Sequence, residues 1–252
     1  MSIPPDDRLT LVLVHGAGSS ATIWDRMIPL LGDRWRILAP DLPGHGGEPG
    51  PGRPTVEGYA TWLEAYLASQ TNGPVVLAGH SMGGAIALLV ALRRRVRLAG
   101  LILIDTGARL RVAPEFLAGL QTDFAGTLKR SAQYAFAASS PDELRAESGE
   151  RLRQAGQEVV HGDFVACDGF DVMARLGEIE LPTLVLCGSE DQMTPPKYAQ
   201  YLAAGIAGAR LEMLDGAGHM APAERPAAMA EALADFLDEL TEDRGDLDHY
   251  GL

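Results

Sequence analysis

The sequence predicts an α/β fold: a doubly wound, mostly parallel sheet of about six strands with a helical cap inserted after strand four. Short β-rich apolar runs recur along the chain, separated by helix-length stretches, which is the alternation of βαβ units. Runs such as Leu11, Val12, Leu13, Val14 and Leu101, Ile102, Leu103, Ile104 are apolar at consecutive positions, as strands are when helices cover both faces of a sheet. About seventy residues then separate the fourth run from the fifth without a strand signal, too many for a bare loop in a compact domain.

The strands are placed at residues 9–14, 36–39, 75–78, 98–104, 183–187 and 209–214. Between the second and third, Val56, Tyr59, Ala60, Leu63, Tyr66 and Leu67 repeat at helical spacing, with Thr55 placed to cap the N-terminus. After the third, residues 85–92 are apolar on every side, so a central buried helix is expected, its basic end complementing the macrodipole. Met229, Leu233, Phe236, Leu237 and Leu240 make the apolar face of a last helix, and residues 241–252 read as a loosely held tail. In the long interval, Ser140, Pro141, Asp142 and Glu143 have a capping-box pattern with proline at the first helical position, so helices are expected there. The core is assigned to residues 1–106 and 182–252 and the cap to 107–181.

With 46% hydrophobic and 22% charged residues the chain has the composition of a folded globular protein. Its net charge of −13 disfavours nucleic acid and anionic lipid as partners, because both are bound through clustered cations. Cys187 lies in an apolar strand run, so it and Cys167 are expected as free thiols. No apolar run reaches the length of a membrane span, and residues 1–8 lack the pattern of an export signal, so the default expectation is cytoplasmic. There is no H-E-x-x-H or Cys/His cluster at ligand spacing, and neither metal nor cofactor is expected.

The strongest chemical signal is Gly79, His80, Ser81, Met82, Gly83, a G-x-S-x-G between a strand and the buried helix. Such a turn strains its central residue, projects the serine from the sheet and puts the N–H of Met82 at a helix N-terminus, free to bind an oxyanion. A serine hydroxyl near neutral pH needs a base, and the base needs an orienting group. His219 is the best-placed base, since Gly216, Ala217 and Gly218 allow a loop after the last strand to curl over the sheet edge. His80 is too near Ser81 in the chain to face its hydroxyl. His15 shapes the first loop, and His45, His161 and His249 lie in a loop, the cap and the tail. Asp191, after the fifth strand, is the first choice for the orienting acid, with Glu190 and Asp105 as rivals.

These motifs resemble the α/β-hydrolase superfamily, in which the triad follows the order serine, acid, histidine. His15, Gly16, Ala17, Gly18 is similar to the family's His-Gly oxyanion loop, which implies Ala17 as second oxyanion donor beside Met82. Asp41, Leu42, Pro43, Gly44, His45, Gly46 resembles its D-x-x-G-H-G loop. Only eight residues precede the first strand, so six parallel strands in the order 2-1-3-4-5-6 are expected rather than the eight of larger members. The implied activity is a carboxylesterase acting on a small-molecule ester; thioesterase, lactonase and carbon–carbon hydrolase or lyase chemistry share such a site.

Two other classes compete. Gly16, Ala17, Gly18, Ser19, Ser20, Ala21 fits G-x-G-x-x-A and Asp41 follows the second strand, as in an NAD-dependent oxidoreductase; that reading leaves Ser81, Asp191 and His219 unexplained. A non-catalytic small-molecule receptor on the same scaffold is the other. Few charges cluster in the cap, so a mainly apolar cavity for uncharged short to medium acyl esters is expected, with Phe116, Leu120, Phe124, Phe136, Phe164 and Phe170 as candidate lining.

Overall fold

Six strands form where the apolar runs lie, and they pair in one parallel sheet. A computed structural model describes residues 8–249, with side chains to residue 242; the N-terminal segment and the last three residues of the expected tail lie outside. The strands are β1 (Thr10–Val14), β2 (Arg36–Leu38), β3 (Val75–His80), β4 (Leu98–Ile104), β5 (Thr183–Gly188) and β6 (Arg210–Leu214), in the order β2-β1-β3-β4-β5-β6. Every pairing is parallel, so each connection crosses over one face.

Strand periodicity divides the interior in two. Val12, Val14, Leu77, Leu101 and Val185 point to one face with the helices α2 (Val56–Gln70) and α3 (Met82–Arg93); Leu11, Leu13, Ala78, Ile102 and Leu184 point to the other with Trp24 and the final helix. Thr55 caps α2 as expected, its side chain accepting from Gly58 N–H at 3.1 Å. All residues of α3 from Met82 to Leu92 are buried. Cys167 and Cys187 are both buried and free.

After β1 the chain makes a 3-10 turn (Ala21–Trp24) and a single-turn helix, α1 (Ile28–Leu31). A dinucleotide fingerprint needs a full helix opening directly from its glycines, to aim several N–H groups at the pyrophosphate. That helix is absent among the described residues, and the Asp41 carboxylate accepts from Ala21 N–H (2.7 Å) and Gly47 N–H (2.8 Å), so it serves the loop rather than a ribose. The oxidoreductase reading falls on both counts.

Between β4 and β5 lie four helices: α4 (Pro114–Thr122), α5 (Phe124–Ala135), α6 (Asp142–Ala155) and α7 (Gln157–Asp168), followed by a 3-10 turn (Met173–Glu178). The segment leaves and returns side by side, Leu110 N–H to Phe170 carbonyl at 3.4 Å and Val172 N–H to Ala108 carbonyl at 2.8 Å. The capping box does not form: Pro141 takes the N-cap position of α6, and the Ser140 hydroxyl donates instead to Glu224. Beyond β5 come α8 (Pro196–Gly205), α9 (Ala221–Glu224) and α10 (Pro226–His249). The last helix continues through residues expected as a loose tail. No described helix is long and apolar enough to cross a membrane.

A buried carboxylate ties the insert to the core. Asp163, on α7, accepts from Tyr59 hydroxyl (2.6 Å), from Gly18 N–H (2.8 Å) and from His45 Nε2 (2.8 Å). His45 also donates Nδ1–H to Pro43 carbonyl (3.1 Å), so both ring nitrogens carry protons. Burial opposes that charge, yet Asp163 outweighs it and raises the pKa of His45. Removing one member of a buried pair strands the other, so Asp163→Ala should lower the unfolding free energy by about 3–5 kcal/mol in urea titrations at pH 6. Asp163→Asn should cost less, because a neutral His45 can accept from the amide. A raised histidine pKa contributes stability that is complete below about 6.5 and is lost as pH rises through the folded value, so the Asp163→Ala deficit should shrink in alkaline buffer. Unfolding of Asp163→Ala at the wild-type midpoint would show that the network contributes nothing.

Candidate active site

At the carboxyl end of β3, Ser81 joins strand to helix with no linker, and its φ is 53° and ψ −118°. The conformation is uncommon for a residue with a side chain and is strained by about 1–3 kcal/mol. It is held from both sides: Ser81 N–H donates to Ile104 carbonyl (2.9 Å), and Thr106 hydroxyl donates to Ser81 carbonyl (2.7 Å). The turn also needs glycine, since a Cβ added at Gly83 would lie 2.2 Å from Val14 carbonyl oxygen.

The structure brings the three predicted residues together. Ser81 Oγ lies 3.0 Å from His219 Nε2, and His219 Nδ1 lies 2.9 Å from Asp191 Oδ2. With Nδ1–H donating to the carboxylate, Nε2 carries the lone pair that faces the serine. Burial opposes a charged imidazole, but Asp191 outweighs it and raises the pKa of His219. Burial likewise opposes the Asp191 carboxylate, and His219 and Thr194 more than compensate, bringing it down to about 2.

The rival acids go elsewhere. Glu190 is exposed. Asp105 is completely buried with φ 44°; one carboxyl oxygen accepts from Gly188 N–H (2.8 Å) and the other is 4.0 Å from His80. Burial first, then Asp191, raises its pKa well above the ordinary carboxylate value. Asp105, Cys187 and Asp191 are the one group among the described residues spaced to hold a metal ion. Their chemistry does not suit one: burial disfavours the charged forms of Asp105 and of the Cys187 thiol, and Asp191 is already saturated by His219, Thr194 and Met193 N–H.

Of the predicted oxyanion donors, Met82 opens α3, so its N–H has no carbonyl within the helix. Ala17 lines the same cavity as Ser81, on a loop so close that a Cβ at Gly16 would be 3.1 Å from Ser81 Cβ. That loop is braced by His15, which accepts from Leu42 N–H (3.0 Å) and so donates Nδ1–H to Gly16 carbonyl (2.9 Å). Burial lowers the pKa of His15 to about 4, with a further push from His45.

Several supporting residues escaped the sequence reading. His80, although it does not face the Ser81 hydroxyl, donates Nε2–H to His219 carbonyl (2.7 Å), and burial lowers its pKa to about 3, fixing it neutral. Glu224 is buried and accepts from Gly218 and Met220 N–H (both 3.1 Å), Ala137 N–H (2.9 Å) and Ser140 hydroxyl (2.5 Å), so it grips the loop on either side of His219. Thr194 hydroxyl donates to Asp191 at 2.7 Å. Each lies within five residues of a predicted site residue, but nearness in the chain alone did not show what its side chain would hold.

The cavity at Ser81 is small, about 60 Å³, against the several hundred usual for drug-sized ligands. Of the six predicted lining residues only Phe164 reaches it. Phe136 and Phe170 are buried in the main core and Leu120 and Phe124 pack in the insert's own cluster, as does Phe116, which also lines a second groove beside the cavity. Nor is the wall wholly apolar, because Arg151 from α6 joins Leu128, Leu152 and Met193 there. A wider groove of about 480 Å³ shares Ser131, Phe164 and Met193 with the cavity.

Residues 11–232 match the model of the alpha/beta hydrolase family. The chain belongs to that family. It is 27% identical over 93% of its length to a pimeloyl-[acyl-carrier protein] methyl ester esterase of Neisseria meningitidis, 95% of which is covered, and 29% identical over 92% to one of Aromatoleum aromaticum, 99% covered. A solved thermophilic esterase superposes with a TM-score of 0.81 at 33% identity, covering 91% of this chain and 90% of that one.

The electrostatics of His219 and Asp191 set a pH response. A base must be neutral, so ester turnover should fall as pH drops through a value above 6.5, the raised pKa of His219. Asp191→Asn should move that acid limb to lower pH and cut the rate by up to ~10⁴. Asp105→Asn, which alters a carboxyl that makes no hydrogen bond to His219, should be mild. The reverse ranking in stopped-flow or steady-state assays would place the orienting acid on β4.

Proposed function

We propose that this chain is a carboxylic ester hydrolase that works through an acyl-enzyme on Ser81, with His219 as base, Asp191 as its orienting acid and the N–H groups of Ala17 and Met82 as oxyanion donors. The observation that carries this reading is the continuous chain from Ser81 Oγ through His219 to Asp191, opening on a small cavity bordered by Ala17. His219 Nε2 takes the Ser81 proton as Oγ bonds to the acyl carbon, and the carbonyl electrons move to an oxygen facing the two N–H groups. As the tetrahedral intermediate collapses, the bond between the acyl carbon and the alkoxy oxygen breaks and His219 gives the proton to that oxygen, releasing the alcohol. Water then attacks the acyl-enzyme with His219 again as base, releasing the acid and restoring Ser81.

The narrow cavity fits a short to medium acyl group, and the wider groove beyond Phe164 and Met193 suits the alcohol. Ester chemistry is favoured over thioester, lactone or carbon–carbon cleavage because the relatives named above are esterases. Ser81→Ala should lower turnover by on the order of 10⁶ and abolish labelling by a fluorophosphonate, whereas a receptor with a dead site would label in neither form. Across a series of p-nitrophenyl esters kcat/KM should peak at short to medium acyl chains; a steady rise toward long emulsified esters would contradict the cavity, and near-native activity in Ser81→Ala would remove the nucleophile.

A further inference from the structure

Arg151 is the one basic side chain other than His80 and His219 in the lining of the Ser81 cavity, and no aspartate or glutamate lines it. Its Nε is buried without a hydrogen-bond partner, and among the described residues no carboxylate stands within ion-pair distance of it. Two acids on the same helix are committed to other arginines: Glu147 pairs with Arg26 at 2.8 Å and Glu150 with Arg153 at 2.9 Å. Burial acts against its charge and lowers the pKa of Arg151, Arg26 adds to this, and Glu147 and Asp25 offset only part of it from a distance. A partly desolvated guanidinium without a partner is costly to keep, and its planar fork matches a carboxylate.

We infer that Arg151 is a specificity residue that receives a carboxylate on the acyl chain, so that half-esters of short dicarboxylic acids are preferred over neutral esters of equal length. This rests on the esterase reading and deepens it: the acyl group enters the cavity from Ser81, and its far end meets the guanidinium on α6. The pairing compensates a cation that the fold leaves open. It also supplies local attraction for an anionic substrate in a molecule of net charge −13. A neutral acyl chain leaves the guanidinium unpaired and forfeits that gain.

The test compares monoethyl glutarate with ethyl pentanoate, which have the same chain length, by pH-stat with wild type, Arg151→Gln and Arg151→Lys. Wild type should favour the half-ester at least tenfold in kcat/KM. Arg151→Gln should lose 10²-fold or more on the half-ester, mainly through KM, and change ethyl pentanoate less than threefold; Arg151→Lys should recover part of the loss. Free glutarate should inhibit wild type competitively and, by calorimetry, bind wild type but not Arg151→Gln. Equal losses on both esters, or glutarate binding that ignores the substitution, would overturn the assignment. If Arg151→Gln fails to fold, the wild-type preference and glutarate inhibition decide the matter, and their absence counts against it. Failure of the esterase reading looks different: neither ester is turned over and Ser81 resists the fluorophosphonate, while glutarate calorimetry still reports on Arg151.

Discussion

Everything at this site is built around one backbone constraint, the positive φ of Ser81 between β3 and α3. A strand that becomes a helix without a linker can do so only if the joining residue leaves the ordinary regions of backbone space. The strain is tolerated because α3 is buried throughout and β3 lies between β1 and β4, so neither element can relax to relieve it. Its consequence is directional. The hydroxyl projects from the carboxyl end of the sheet, where the loops after β1, β5 and β6 converge, and those loops carry Ala17, Asp191 and His219.

Histidine protonation divides the supporting work. His15 and His80 are buried, neutral and each donate one ring N–H to a backbone carbonyl, Gly16 and His219 respectively. They brace the two loops beside Ser81 without adding a charge next to His219. His45 is cationic, and its charge is met by Asp163 on the far side of the oxyanion loop. Burial and Asp191 raise the pKa of Asp105, and Asp191 is the carboxylate hydrogen-bonded to His219. Burial alone would neutralise all of these groups; specific partners decide which retain charge.

The helical insert is part of this machinery rather than a lid resting on it. Asp163 reaches from α7 to the N–H of Gly18, next to Ala17, and Glu224 joins the His219 loop to Ala137 and Ser140 at the start of α6. Phe136 and Phe170 sink into the two halves of the core. The same helices supply Phe164, Leu152 and Arg151 to the cavity at Ser81, so the element that shapes that cavity also fixes the loops of Ala17 and His219.

Strand positions, the buried helix, Ser81 and His219 were marked in the chain itself by local pattern: two-residue or 3.6-residue periodicity, or a motif at a strand end. The strand order and the choice of Asp191 over its rivals came from the resemblance to the α/β-hydrolase superfamily. The clearest misreadings came where a local rule met a tertiary competitor. Ser140 had a capping-box pattern, but the buried Glu224 carboxylate claimed its hydroxyl. The apolar residues of the insert looked alike in sequence, yet only folding sorted Phe164 to the cavity and Phe136 and Phe170 to the core. Asp105 and Asp191 both follow strands, and only the path of the last loop put His219 against one of them. Arg151 gave no signal, because an arginine becomes informative only when its surroundings withhold a partner. Periodicity and turn chemistry act between near neighbours and so are written in the sequence; burial and charge pairing depend on residues far apart in the chain, and the tertiary structure alone decides them.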